Sequence, residues 1–249
     1  MKTKTLLFPR RPAVQRIVRF RLGSLLVLAG WCAALWGFFS WDWKNTLFRP
    51  ADRKELAWPE FFSKHLAVLL PETDGFDFPV RPPDGDDTYI ARKFGEDNHL
   101  GEDWNTAEEN KDLGEPIFSC GEGWVSLAMD FQGAWGKVVM VTYRLGPGRW
   151  PAIVEMMYAH LQEIDVQPFQ FVKRGQKIGT MGNADGVYWA HLHWEVRQGP
   201  GLGLGGGYAD RLDGWLDPSQ FVLAHRPPGA SPAPPKHRVP KGPKKDDMD

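Results

Sequence analysis

Seven histidines are spread along 249 residues, and four of them stand where an imidazole could do chemistry. His191 and His193 form a His-x-His pair inside His191-Leu192-His193-Trp194-Glu195. A strand here puts His191, His193 and Glu195 on one face and Leu192, Trp194 and Val196 on the other, because strand side chains alternate with a period of two. Upstream, Asn98-His99-Leu100-Gly101-Glu102-Asp103 sets a histidine and an aspartate four residues apart. That spacing shares a face on a helix and, being even, on a strand as well; Gly101 argues against the helix. His160 closes an apolar run after Tyr158-Ala159. Four imidazoles and a carboxylate are a donor set that zinc accepts readily, and three protein ligands plus a water make a catalytic rather than a structural site. Glu195 either orients an imidazole by a hydrogen bond or is a plain surface glutamate. No His-Glu-x-x-His helix is present, and Cys32 and Cys120 are not placed to complete a thiolate site.

Such a set needs a rigid scaffold. From Phe76 onward the texture is one of short apolar runs separated by Gly, Pro, Asp and Asn. Residues 76–80, 117–120, 124–128, 137–143, 155–159 and 191–196 all read as strands. Gly121-Glu122-Gly123 predicts a hairpin connection between two of them. Leu216-Asp217-Pro218-Ser219-Gln220-Phe221 predicts a closing turn and a short helix. No long run has helical period, so the fold class is mainly β, an antiparallel sheet domain over residues 76–225. The run from Gly199 to Gly207 contains Gly-x-Gly, but no helix follows and no βαβ unit surrounds it, so it reads as a flexible loop and not a dinucleotide site. Residues 226–249 hold seven prolines and six Lys or Arg and read as a solvated, disordered tail.

The N-terminal region has a different character. The formal net charge of −1 gives no electrostatic case for nucleic acid. Residues 1–21 carry Lys2, Lys4, Arg10, Arg11, Arg16, Arg19 and Arg21 without an acid, and residues 22–41 then run uncharged until Asp42. About 20 apolar residues span the hydrocarbon core of a bilayer. The cationic flank predicts a cytoplasmic N-terminus and an exported remainder. Trp36, Phe38, Phe39 and Trp41 offer no small-x-small cleavage site, so a retained anchor is preferred to secretion after cleavage. The expected layout is a basic cytoplasmic segment over 1–21, a transmembrane anchor over 22–41, a membrane-proximal segment over 42–75, the β domain, and the tail. The protein is then a single-pass protein of the cell membrane with its domain on the periplasmic or outer side. His65 reads as a packed or surface histidine.

The order His-x-x-x-Asp, then a single histidine before leucine, then His-x-His resembles the lysostaphin-type (LytM-like) zinc metalloendopeptidases of the peptidoglycan hydrolase group. The resemblance extends over residues 76–222. Phe94-Gly95, Leu113-Gly114-Glu115-Pro116-Ile117, Gly121-Glu122-Gly123-Trp124-Val125 and Tyr158-Ala159-His160-Leu161 fall in the family's order. So do Val172-Lys173-Arg174-Gly175-Gln176-Lys177-Ile178-Gly179, Gly182-Asn183 and Asp217-Pro218. The resemblance implies that His99, Asp103 and His193 bind one Zn2+ per chain and that His160 and His191 are the catalytic histidines. It implies a β-rich core with a zinc-floored groove, and hydrolysis of peptidoglycan stem or bridge peptides by a metal-activated water. Residues 199–207 and 144–152 are then expected as groove walls. Two departures stand out: Tyr143 occupies a place where the family often has a histidine, and Tyr89, ten residues before His99, is the nearest upstream tyrosine. A non-catalytic wall-binding or hydrolase-regulating module of the same fold is the alternative. Retention of all five positions argues for the enzyme. A D-Ala–diaminopimelate cross-link suits a single N-terminal anchor, with polyglycine bridges the other option, and nothing fixes the oligomeric state.

Overall fold

Short apolar runs punctuated by glycine and proline cannot sustain helices, and the chain folds accordingly into strands. The structure is a computed structural model that describes residues 70–146 and 152–230. The expected anchor, His65, most of the membrane-proximal segment, residues 147–151 and the tail beyond 230 lie outside the described residues. Among the described residues no helix is long and apolar enough to cross a membrane.

The strands are β1 (Tyr89–Arg92), β2 (Glu102–Asn105), β3 (Pro116–Phe118), β4 (Gly123–Asp130), β5 (Lys137–Arg144) and β6 (Ile153–Leu161). They continue with β7 (Glu163–Ile164), β8 (Phe171–Val172), β9 (Lys177–Thr180), β10 (Leu192–Arg197) and β11 (Trp215–Leu216). An eight-stranded sheet runs β1-β2-β10-β6-β5-β4-β8 with β11 also on β10, and a three-stranded sheet runs β3-β9-β7. All these strand pairs are antiparallel. The mainly β, antiparallel class expected from the sequence is therefore the observed one. Helix α1 (Pro218–Ala224) follows the predicted closing turn, with Asp217 as N-cap accepting from Gln220 N at 2.9 Å and proline in the first turn.

Three local expectations are corrected. Residues 76–80 form no strand, although Phe76, Phe78 and Val80 are buried: Phe76 N, Asp77 N and Phe78 N bond to three separate segments, at His225, Cys120 and Pro83. Gly121-Glu122-Gly123 is not a hairpin turn, because it joins β3 in the small sheet to β4 in the large one. The tail does not begin at Arg226, whose guanidinium is only 6% exposed and pairs with Asp77 and Asp84.

Alternation along the central strands decides what faces the site. From β5, β6 and β10, Val139, Val141, Val154, Met156, Tyr158, Leu192, Trp194 and Val196 enter the main core, joined by Trp104 of β2. The opposite face presents Asp103, Met157, Ala159, His193, Glu195 and Arg197. It is covered in turn, since Leu204 packs with Val138, Met140, Met157 and Ala159, and Leu202 packs with Leu100 and Trp215. Every residue of β6 and of β10 is consequently buried. The polar face of β10 is not a wet surface.

Gly101 serves the same packing. A Cβ there would meet Trp194 O at 2.5 Å and Glu195 Cγ at 2.9 Å, so the segment carrying His99 can lie against β10 only with glycine at this position.

Beside it, Glu102 is 3% exposed. Burial pushes its carboxyl up to about 7, against the hydrogen bonds it accepts from Ser219 Oγ at 2.7 Å and Trp104 Nε1 at 2.8 Å. Unfolded, the group ionises near 4.5. Between those values the folded chain holds a proton that the unfolded chain has lost, so this contribution is fullest below the lower value and is lost as pH rises through the upper one. Glu102→Gln keeps both acceptor bonds and cannot ionise. Its melting temperature is expected to gain on the parent's by several degrees between about pH 5 and 8; parallel curves would refute the assignment.

Candidate active site

Three acceptor atoms converge at the junction of β2 and β10. His99 Nε2 lies 3.0 Å from His193 Nδ1 and 3.3 Å from Asp103 Oδ1, and His193 Nδ1 lies 3.0 Å from Asp103 Oδ1. Strand pairing brings two of them together, because His193 stands directly opposite Asp103 and opposed residues share a face. His99 arrives just before β2, fixed by a backbone bridge to Tyr208.

The tautomers of both imidazoles follow from their outer partners. His99 Nδ1 faces Lys93 O at 3.4 Å, and a carbonyl can only accept, so the proton sits there and Nε2 is bare. His193 Nε2 faces Glu195 Oε1 at 3.0 Å and donates to it, leaving Nδ1 bare. Two bare nitrogens and a carboxylate oxygen in mutual contact require positive charge among them. As a free imidazole, His193 shows the same demand: burial would lower it, but the bonds to Asp103 and Glu195 push it up to about 9. Burial works against the Asp103 carboxylate too, yet His193 and His99 hold it well below the usual range. The three residues could hold a metal ion, their ligand atoms all lying within 4.8 Å of one another. Zinc bonds of 2.0–2.1 Å in tetrahedral array imply ligand edges of about 3.3 Å, close to the triangle seen.

His191 and His160 border this triangle. His191 Nδ1 donates to Trp189 O at 2.8 Å, and His191 Nε2 lies 3.7 Å from Asp103 Oδ1. His160 Nδ1 donates to Trp135 O at 3.3 Å. The His160 ring centroid lies 4.8 Å from that of His191 and 5.5 Å from that of His193. Simple alternation along β6 would send His160 into the core with Tyr158. The register instead slips by one residue between Val139↔Tyr158 and Lys137↔Leu161, and His160 takes the left-handed φ of 61°. This bulge turns the ring onto the site face at a conformational cost of roughly 1 kcal/mol or more. Burial lowers both imidazoles, His160 well below its ordinary value, so both stay neutral near pH 7 with Nε2 free.

Glu195 is the post behind His193. It is fully buried, and its second oxygen accepts from Arg197 Nε at 2.8 Å and Trp215 Nε1 at 2.8 Å. Burial opposes its ionisation, but Arg197 and His193 hold the carboxyl down at about 2. Of the two sequence readings of Glu195, the orienting one is the one seen.

Residues 97–205 match the model of peptidase family M23. The chain carries an M23 peptidase domain. Over 87 residues it is 33% identical to the cell division protein DipM of Caulobacter vibrioides, covering 35% of this chain and 13% of that one. Over 98 residues it is 32% identical to the peptidoglycan DD-endopeptidase ShyB of Vibrio cholerae, covering 39% of this chain and 20% of that one. The chain thus spans a fifth or less of these relatives' lengths. A solved zinc-containing peptidase from Vibrio cholerae is 27% identical over 49% of this chain and 36% of its own, with a TM-score of 0.39.

The groove of the M23 domain has a volume of about 520 Å³ and takes in all five sequence-selected residues. Of the expected walls, Gly206 and Gly207 line it. The glycine-rich loop is pinned by Leu100 N to Gly207 O at 2.9 Å and Trp135 Nε1 to Gly205 O at 3.1 Å. Tyr89 does not line the groove and donates to Ala107 O; Tyr143 is buried, bonded to Ser119 and Tyr158. Sequence reasoning missed Arg92, Trp135, Tyr188, Trp189 and Tyr208, which also line the groove. Tyr188 and Trp189 had a signal, being aromatic residues in the turn just before His191; the others are brought in by strand register and loop docking.

Glu195→Gln removes the charge that fixes the His193 tautomer and leaves Arg197 unpaired. Zinc affinity measured against a chelator is expected to fall 10- to 100-fold, with a lower melting temperature. A folded variant with the parent's zinc affinity would contradict the orienting role.

Proposed function

We propose that this protein is a zinc-dependent endopeptidase that hydrolyses peptide cross-links of peptidoglycan. The observation carrying the reading is the division of labour among four imidazoles. His99 and His193 turn bare nitrogens on Asp103, while His160 and His191 turn theirs into the adjoining groove. His99 Nε2, Asp103 Oδ1 and His193 Nδ1 would hold the zinc, which when bound supplies a Lewis acid that acidifies water and polarises a carbonyl.

The chain's own residues supply the proton traffic. Trp189 O and Trp135 O keep Nδ1 protonated on His191 and His160, so each presents a basic Nε2. One of the two accepts the proton of the attacking water at Nε2 and delivers it to the leaving amine; the other stays neutral and orients the same water through its own bare Nε2. The two rings are 4.8 Å apart, so the charge gained by one lowers the basicity of the other and favours this split. Closure of the groove by Trp135 and Tyr188 around His160, at 5.9 Å and 5.0 Å between ring centroids, restricts water at the reacting bond. The family match and the similarity to a peptidoglycan DD-endopeptidase support the substrate class. A non-catalytic module would have no use for two basic imidazoles held beside a metal triangle.

We further propose, from the basic flank and the uncharged run of residues 22–41, a single-pass anchor in the cell membrane with the M23 domain on its outer side.

His193→Ala, His160→Ala and His191→Ala separate the roles. The first is expected to lose both bound zinc and wall hydrolysis. The other two are expected to keep about one zinc per chain while losing at least 100-fold in hydrolysis of purified peptidoglycan, with released ends identified by mass spectrometry. Full activity in either of the last two would rule out its assigned role.

A further inference from the structure

Among the described residues lining the groove, Arg92 is the one lysine or arginine. Its place follows from strand register. After a register shift that separates it from core-facing Ile90, Arg92 of β1 stands opposite Asp103 of β2, Asp103 opposite His193 of β10, and His193 opposite Ala159 of β6. Residues opposed in this way share a face. Arg92 therefore continues the row of site residues by one strand, outward from Asp103.

A ring steadies it there. The guanidinium carbon lies 5.7 Å from the centroid of the Tyr208 ring, and Nη1 donates to the Tyr208 hydroxyl. Tyr208 is itself fixed, by its backbone bridge to His99 and by a ring contact of 5.1 Å with that histidine. A guanidinium has five N–H donors in a planar fork, and the Tyr208 hydroxyl occupies one of them. Arg92 is partly exposed on the groove wall, and the fork that remains matches a carboxylate in bidentate fashion.

We propose that Arg92, held by Tyr208, binds a free carboxylate of the substrate beside the scissile amide. The inference rests on the peptide-hydrolase reading above and names its substrate class. The groove selects cross-links that carry a carboxylate next to the cleaved bond. A diaminopimelate-type link does, since the carbon bonded to the amide nitrogen bears a carboxylate; a polyglycine bridge has none. A mere rim contact between Arg92 and Tyr208 would give no such selection.

The test uses the full-length chain, loaded with zinc, and two peptides identical except for a free carboxylate or a carboxamide on the amine side of the scissile bond. Cleavage gives kcat/KM, and versions with a reduced, uncleavable bond give Kd by calorimetry. The parent is expected to favour the carboxylate peptide roughly 10- to 100-fold, mainly in KM and Kd. Arg92→Met, which keeps the apolar stem, is expected to bring that ratio down to about one, and Arg92→Lys, a point charge without a fork, to retain part of it. A parent that treats both peptides alike, or an Arg92→Met that keeps the parent's ratio, overturns the proposal. Preferential binding through Arg92 without cleavage of either peptide would uphold the clamp and overturn the hydrolase reading instead.

Discussion

The hydrogen bond from His193 Nε2 to Glu195 Oε1 is the constraint on which the site depends. It fixes which nitrogen of His193 is bare, and with it which atom can meet Asp103 and His99. The bond is only as firm as the Glu195 carboxylate, a charge with no exposure to solvent. Leaving such a charge unpaired would cost several kcal/mol, and Arg197, itself fully buried, pairs with it at 2.7 Å. Arg197 in turn spends its other donors on the carbonyls of Leu202, Gly203 and Leu204. Through one arginine, the glycine-rich loop that covers the site is tied to the tautomer of a histidine at its centre.

That chain of contacts explains how much the sequence could reveal. The faces of the His191–Val196 stretch were legible because a period of two is a local property, and Leu192, Trp194 and Val196 do enter the core. That the other face would be sealed was not legible, since the cover comes from Leu202 and Leu204, which pack there only after the loop folds back. The short strands β1 and β2 also escaped sequence reading. Tyr-Ile-Ala-Arg and Glu-Asp-Trp-Asn lack a clean alternation of apolar and polar residues, and their pairing is set by neighbours distant in the chain. Residues 76–80 misled in the opposite sense: they have strand composition but reach the core as three anchors bonded to separate segments.

His160 shows the limit most clearly. Its type and its place at the end of an apolar run marked it as a candidate, yet strict alternation would have buried it away from the other histidines. Only the one-residue slip between β5 and β6, with its left-handed backbone, turns the ring to the groove. Sequence can name the side chain; the register of two paired strands decides its direction. The same holds for Arg92, which nothing in the local sequence distinguishes from the chain's other cations and which four aligned strands deliver to the rim.

Three converging acceptors demand positive charge, which the proposed zinc would supply. X-ray absorption of the purified full-length chain after one equivalent of zinc tests this directly. The expected result is one tightly held zinc per chain, with a shell of nitrogen and oxygen only, two imidazoles among them, at about 2.0–2.1 Å. Failure to retain zinc, or a shell containing sulfur, would contradict it.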